Sequence, residues 1–121
     1  MTSCSNDGTV DTALAQPISV DKAVQLHGNA GVEFVDPRPI DAIASTTGKI
    51  PGARLISIDE IEANQLPAVF ADKTIHIVTT CQAGPMAARA AEAFAKLGYG
   101  RISWIEGGTQ AWRAAGQETI V

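Results

Sequence analysis

Short apolar runs alternate along the chain with longer stretches in which apolar residues recur every three or four positions. Short apolar runs are typical of strands that are buried on both faces of a sheet, whereas the longer spacing is that of one helix face. These patterns predict strands at residues 32–36, 55–57, 75–80 and 102–105, and helices at residues 20–27, 41–45, 59–64, 85–97 and 110–115.

The alternation of strands and helices indicates an α/β fold with a mostly parallel central sheet. No repeat or linker divides the chain, and its 121 residues are enough for one domain with a buried core. The N-terminal segment is rich in Ser, Asn, Asp, Gly and Thr. We therefore expect a disordered or flexible tail at residues 1–16 and a folded domain at residues 17–121.

Charge and cysteine content narrow the functional classes. Nine Lys and Arg residues against thirteen Asp and Glu residues give a net charge of −4, which argues against general binding to nucleic acid or anionic membranes. No apolar stretch approaches the roughly 20 residues of a membrane span, and the polar N-terminus lacks the apolar core of a secretion signal. With only Cys4 and Cys81, a structural disulfide is a weak interpretation, so we expect a cytoplasmic protein in a reducing compartment.

Cys81 lies between the apolar run at residues 75–80 and the Gly84-Pro85 pair that opens an Ala-rich helix. The thiolate is the reactive form of cysteine, and the unpaired amides and positive dipole end of a helix N-terminus favour an anion. The short loop can also aim backbone N–H groups at the sulfur. This position predicts a nucleophile, although a lone apolar Cys is often only a small core residue. No His/Cys spacing supports a zinc site.

The helix after Cys81 has one apolar stripe that is expected to pack on the sheet and to fix the position of the helix N-terminus. Pro85 suits the first helical position, and Gly98 ends the helix. The stripe consists of Met86, Ala90, Ala93, Phe94 and Leu97.

Four motifs in this order resemble those of a single-domain rhodanese over residues 17–121. They are Asp36-Pro37-Arg38, Gly48-Lys49-Ile50-Pro51-Gly52-Ala53, the Cys81-x-x-Gly84 loop between strand and helix, and Glu106-Gly107-Gly108 with Ala111-Trp112. The resemblance implies a three-layer α/β/α domain that carries sulfane sulfur as a cysteine persulfide. It implies a donor such as thiosulfate or a persulfide on a small thiol or a protein, and an acceptor such as cyanide or a thiol. It implies no metal or organic cofactor, and we expect a monomer.

Residue by residue, the resemblance makes Cys81 the persulfide carrier. It assigns supporting roles to Asp36, Arg38 and Lys49, although each of these has an alternative interpretation: Asp36 and Arg38 as partners of neighbouring loops, and Lys49 as a surface charge. The loop residues that would cradle the sulfur are Gln82, Ala83, Gly84, Pro85 and Met86.

The loop also departs from the family pattern. Many catalytic relatives have Arg or Lys where this chain has Met86 and Ser or Thr where it has Ala87; Lys49 stands where the motif often has His. Pro85 has no N–H to offer. Loss of one charge-assisted hydrogen bond commonly costs about 1.5–3 kcal/mol, or roughly ten- to a hundredfold in affinity, so we expect weak binding of doubly charged thiosulfate.

Two alternatives to sulfur transfer are phosphatase activity and a binding role without efficient turnover. Related phosphatases use a longer loop with an Arg, and phosphoryl transfer needs positive charge at the equatorial oxygens, so the short loop without a cation argues against that chemistry. The second alternative is a catalytically weak sulfur-sensing or protein-docking module, which the missing loop cation favours.

Overall fold

The computed structural model describes residues 15–121, and Cys4 with the rest of the expected tail before Ala15 lies outside them. The described chain alternates between strands and helices along its whole length. The strands are β1 (Ala15–Ile18), β2 (Val32–Asp36), β3 (Arg54–Leu55), β4 (His76–Thr79) and β5 (Arg101–Ile105). The helices are α1 (Val20–Leu26), α2 (Ile40–Ala44), α3 (Ile58–Glu62), α4 (Pro85–Lys96) and α5 (Gly108–Ala114), with a 3-10 turn at Ala68–Ala71.

The five strands form one parallel sheet in the order β1-β5-β4-β2-β3. This arrangement confirms the α/β class and the parallel central sheet. The sheet edge at β1 corrects the domain boundary, because Ala15 and Gln16, expected in the tail, pair with Ile102 and Ser103 of β5. Backbone hydrogen bonds to a neighbouring strand hold this segment in place, and its polar composition does not reveal them.

Helices cover both faces of the sheet, and side chains on each strand alternate between two cores. On one face, Ile77 of β4 belongs to a cluster with Phe94 of α4 and Ile61 of α3. On the other face, Val78 belongs to a cluster with Ala23 of α1 and Trp112 of α5. The result is the expected three-layer arrangement, with helices on both faces of the sheet.

Several element boundaries differ from the sequence prediction. The strand predicted at residues 55–57 is β3 at Arg54–Leu55, and Ser57 instead caps α3. The Ser57 hydroxyl accepts from the Glu60 amide at 3.1 Å while the Glu60 carboxylate accepts from the Ser57 amide at 2.9 Å, which is a capping box. These paired bonds start α3 at Ile58, one residue earlier than predicted.

The carboxyl ends of β2 and β4 lie side by side, and the connections that follow them lead to opposite sides of the sheet. Such a switch point in strand order is where parallel α/β sheets usually bind ligands. Asp36 is the last residue of β2, Arg38 follows it, and the segment after β4 carries Cys81. The fold therefore brings two of the sequence motifs to one place.

Candidate functional site

The Cys81 sulfur lies at the bottom of its loop and accepts a hydrogen bond from the chain itself. The Gly84 amide donates to the Cys81 Sγ at 3.0 Å, and Cys81 is only 2% exposed. Gly84 reaches this position with φ of +128°, a conformation that L side chains rarely adopt. Within residues 15–121, Cys81 is the free cysteine.

The first turn of α4 contains further backbone amides. Helix α4 begins at Pro85, and its first hydrogen bond to the preceding loop runs from the Ala88 amide to the Gly84 carbonyl at 3.1 Å. The Met86 and Ala87 amides find no acceptor among the described residues, as is usual in the first turn of a helix. The N-terminus of α4 therefore offers two N–H groups next to the Cys81 loop, whereas Pro85 contributes none.

The first turn of α5 fixes the Cys81 loop from behind. The Thr109 amide donates to the Cys81 carbonyl at 2.7 Å, and the Gln110 amide donates to the Gln82 carbonyl at 3.0 Å. The buried hydroxyls of Thr80 and Thr109 share a further hydrogen bond of 2.9 Å. The two amide bonds come from N-terminal N–H groups of α5 that have no acceptor within the helix, and they hold the loop in position.

The sequence pattern does not reveal this role of α5, because it predicts a helix that begins at Gln110 rather than at Gly108. The signal that could have revealed it is the Gly107-Gly108 pair. Both glycines have positive φ values, +80° and +62°, so the chain turns sharply into the helix directly under the loop.

A cavity of about 320 Å³ opens above Cys81, and we refer to it as the Cys81 cavity. This volume is at the lower end of the range of small-molecule sites. The loop contributes one wall and the segment after β2 contributes the other. The lining residues are Arg38, Pro39, Ala42, Cys81, Gln82, Ala83, Pro85 and Met86.

Arg38 lines this cavity, but Asp36 holds its guanidinium. The Arg38 Nη2 donates to Asp36 Oδ2 at 2.7 Å, and the Arg38 Nε donates to Asp36 Oδ1 at 3.0 Å. Nη1 and Nη2 also donate to the Thr46 hydroxyl and the Gly48 carbonyl at 3.2 and 3.3 Å. The pair is buried, which makes it a rigid connection between β2 and the loop before β3.

Lys49 takes a different position from the other residues predicted for the site. Its Nζ donates to the Ala53 carbonyl at 2.7 Å, and its backbone pairs with Ile120. Lys49 does not line the Cys81 cavity, whereas Gln82, Ala83, Pro85 and Met86 do. The structure therefore brings the Cys81 loop and Arg38 together. Lys49 instead lies in the loop before β3, which accepts hydrogen bonds from Arg38.

His76 lies at the beginning of β4, whereas Cys81 follows the end of that strand. Its Nε2 is 2.9 Å from the Ser103 hydroxyl, and its buried Nδ1 has no hydrogen-bond partner in the described chain. Burial, and then the positive charges of Arg101 and Lys22, lower the pKa of His76 below its ordinary value. The residue therefore bears on stability and not on the chemistry of the sulfur.

No helix within residues 15–121 is long and apolar enough to cross a membrane. No group of three or more His, Cys, Asp or Glu side chains in the same range is arranged to hold a metal ion.

The chain is similar to known proteins over nearly all of the described length. A family model of the rhodanese-like domain matches residues 19–115. A protein of unknown function from Rhodopseudomonas palustris, described as a possible tyrosine phosphatase, has a solved structure that is 26% identical in sequence. The match covers 99% of each chain with a TM-score of 0.79.

Two further solved structures share the fold. A rhodanese-like domain protein from Staphylococcus aureus is 27% identical with a TM-score of 0.63, and the match covers 88% of this chain and 99% of that one. A rhodanese-related protein from Thermoplasma volcanium is 22% identical with a TM-score of 0.68, over 87% of this chain and 97% of that one. No curated protein matches the chain.

Proposed function

Because the chain belongs to the rhodanese-like family, we propose that it is a sulfurtransferase in which Cys81 carries sulfane sulfur as a persulfide. The observation that carries the proposal is the hydrogen bond from the Gly84 amide to the Cys81 Sγ at 3.0 Å, at the bottom of a cavity of ligand size. A sulfur anion in that position is stabilised by a backbone donor without any metal or organic cofactor.

The reaction has two steps. In each step, one bond to the transferred sulfur forms while another bond to it breaks. In the first, the Cys81 thiolate attacks the outer sulfur of the donor, the donor bond to that sulfur breaks, and the leaving group keeps the electron pair. In the second, a thiolate or cyanide attacks the outer sulfur of the persulfide, and the Cys81 thiolate leaves. The Met86 and Ala87 amides lie in the first turn of α4, and the N-terminus of a helix favours negative charge.

Donors in this proposal are thiosulfate or a persulfide on a small thiol or a protein, and acceptors are thiols or cyanide. The test is turnover of thiosulfate, and of a small-molecule persulfide, with cyanide as acceptor and thiocyanate as the measured product. Cys81→Ser is expected to abolish thiocyanate formation, while Cys4→Ser keeps it. Equal losses in both variants contradict the proposal, provided circular dichroism shows that both are folded.

The second candidate function is a sulfur-sensing or docking module that does not turn over efficiently. Its support is that Arg38, the charged residue that lines the Cys81 cavity, is already bound by Asp36. The two candidates differ in a measurable rate. Folded wild-type protein that turns over neither donor favours the docking module, whereas thiocyanate formation that depends on Cys81 excludes it.

Phosphatase activity, suggested by the description of the Rhodopseudomonas palustris protein, has less support in this chain. Phosphoryl transfer needs cations directed at the phosphate oxygens. The six-residue loop from Cys81 to Met86 contains no Arg or Lys, and the Arg38 guanidinium faces the Asp36 carboxylate. We expect no hydrolysis of an aryl phosphate under conditions in which sulfur transfer proceeds.

A further inference from the structure

The walls of the Cys81 cavity are mostly apolar. Alanine, proline and methionine side chains contribute five of its eight lining residues, namely Pro39, Ala42, Ala83, Pro85 and Met86. Met86 is half-buried at the second position of α4 and, like Cys81, lines the cavity. Gln82 is the neutral polar side chain of this lining.

The charge of the cavity is also nearly cancelled. Arg38 is its one charged lining residue, and four hydrogen bonds tie its side-chain nitrogens to Asp36, Thr46 and Gly48. The Asp36 carboxylate makes two of these bonds, so the pair as a whole carries no net charge. A bound dianion therefore meets a guanidinium that is already neutralised.

Neither Lys49 nor Arg89 lines the Cys81 cavity. Lys49 donates its ammonium to the Ala53 carbonyl, and Arg89 lines a neighbouring cavity of about 310 Å³ that shares only Pro39 and Met86 with the Cys81 cavity. Residues 1–14, whose positions the structure does not describe, contain no Lys, Arg or His. The N-terminal segment thus has no cationic side chain to bring to the site.

We propose that the Cys81 cavity selects sulfur donors with an apolar body and at most one negative charge, and that Met86 is a specificity-determining residue for this preference. The inference rests on the proposed sulfur transfer and names its substrate class. The donor is an organic persulfide or an equivalent organic sulfane compound, and thiosulfate is a poor donor because it is a dianion with no apolar part. The apolar body lies against Met86 while the outer sulfur reaches Cys81.

The accessibility of the sulfur supports a small or slender donor. Cys81 is 2% exposed, so only the end of a donor reaches it, and the rest must occupy the cavity above. Contact of that remainder with the cavity walls removes apolar surface from water, and each buried methylene is worth up to about fourfold in affinity. A donor without such a remainder gains nothing from these walls.

Alkanethiosulfonates are suitable probes, because their charge stays constant while their apolar length changes. With such a donor, the Cys81 thiolate forms a bond to the outer sulfur, the donor S–S bond breaks, and an alkanesulfinate leaves with the electron pair. One sulfur atom moves to Cys81, and the total charge is unchanged. The same exchange with thiosulfate releases sulfite.

The experiment measures kcat/KM for methane-, ethane- and propanethiosulfonate and for thiosulfate, each divided by its rate with a free thiol in solution. The inference predicts a rise of about two- to fourfold per methylene. It also predicts that thiosulfate is the poorest donor of the set after this correction. A flat series, or thiosulfate as the best donor, overturns it.

Variants at Met86 test whether this residue sets the preference. Met86→Arg is expected to raise kcat/KM for thiosulfate by about ten- to a hundredfold and to flatten the rise along the alkane series. Met86→Leu is expected to keep the wild-type pattern. Gln25→Arg, which adds the same charge on α1, is the matched control and is expected to leave the pattern unchanged.

The outcomes separate this inference from the function on which it rests. If no donor loads sulfur onto Cys81, the proposed function fails. If sulfur loads but the alkane series is flat in wild type and unchanged in Met86→Arg, sulfur transfer stands and the specificity inference fails. A thiosulfate gain in Gln25→Arg equal to that in Met86→Arg shows an effect of net charge and contradicts the role of Met86.

Discussion

The Thr109 amide donates a 2.7 Å hydrogen bond to the Cys81 carbonyl, and so joins the first turn of α5 to the loop that carries the sulfur. The Cys81 loop is therefore held by two helix N-termini, that of α4, which it leads into, and that of α5, which donates hydrogen bonds to it. Because both supports are backbone groups, their positions depend on the glycines that let the chains approach closely.

Gly108 is the glycine on which this approach depends most. A Cβ at this position would lie 2.6 Å from the Cys81 carbonyl oxygen and 2.7 Å from that of Gln82, and φ is +62°. We expect Gly108→Ala to lower the free energy of unfolding by about 1–3 kcal/mol and to slow sulfur transfer more than tenfold. Denaturant unfolding and the thiocyanate assay measure the two effects.

Gly100 provides the matched control, because a Cβ built there meets nothing within 4 Å. Gly100→Ala is expected to change stability and sulfur transfer little. Similar losses in Gly100→Ala and Gly108→Ala contradict the role assigned to the contact between α5 and the loop.

The buried ion pair beside the cavity gives a second prediction. Asp36→Asn removes the charge that balances the buried Arg38 guanidinium, and breaking such a pair typically costs about 3–5 kcal/mol. The control is Glu33→Gln, which breaks the 2.7 Å pair with Arg54, an exposed side chain. Exposed pairs contribute about 0–1 kcal/mol, so urea unfolding should separate the two variants clearly, and equal losses contradict the account.

The hydroxyl pair of Thr80 and Thr109 gives a third prediction. Thr109→Val leaves the buried Thr80 hydroxyl with only its long 3.4 Å hydrogen bond to the Cys81 carbonyl, and we expect a cost of about 1–3 kcal/mol. Replacement of both threonines by valine should cost less than the sum of the two single changes. A double-mutant cycle by denaturant unfolding measures this coupling, and additive losses are the contrary result.

His76 gives a prediction about pH. Burial first, and then Arg101 and Lys22, lower its pKa from the ordinary 6.5, so the unfolded chain binds a proton at a higher pH than the folded chain does. The stability that neutral His76 contributes is therefore complete above about pH 6.5 and is lost as the pH falls. Unfolding measured from about pH 7.5 to about pH 5.5 is expected to show this loss in the wild type and much less of it in His76→Gln.

His27→Gln is the control for that experiment, because the His27 ring instead bonds the Pro51 carbonyl at 2.8 Å and packs against Trp112. This variant retains His76 and should keep the loss of stability on acidification. An unchanged pH profile in His76→Gln contradicts the assignment.

The sequence was sufficient to predict the elements whose signals are local. Pro85 and the apolar stripe correctly predict α4, and the Cys81-x-x-Gly84 spacing correctly predicts a loop between β4 and that helix. Strand β1 was missed because Gln16 and Pro17 are polar or exposed, and only pairing with β5 makes the segment a strand.

The charged residues were predicted in part. The interpretation of Asp36 and Arg38 as partners of neighbouring loops agrees with the bonds of Arg38 to Asp36 and Gly48, whereas the pairing of the Lys49 backbone with Ile120 in the C-terminal segment was not predicted. The contact of Thr109 with the Cys81 loop was not predicted either, because it depends on how α5 packs against the sheet. Such long-range contacts leave no periodic signal in the chain.

The central claim is that Cys81 carries sulfur, and the most direct test is the intact mass of reduced protein after incubation with a small-molecule persulfide or with thiosulfate. Peptide mapping then locates any added mass. The account predicts a gain of one sulfur atom on Cys81, with more loading from the persulfide, and no such gain in Cys81→Ser. No gain from either donor, or a gain on Cys4 alone, contradicts it.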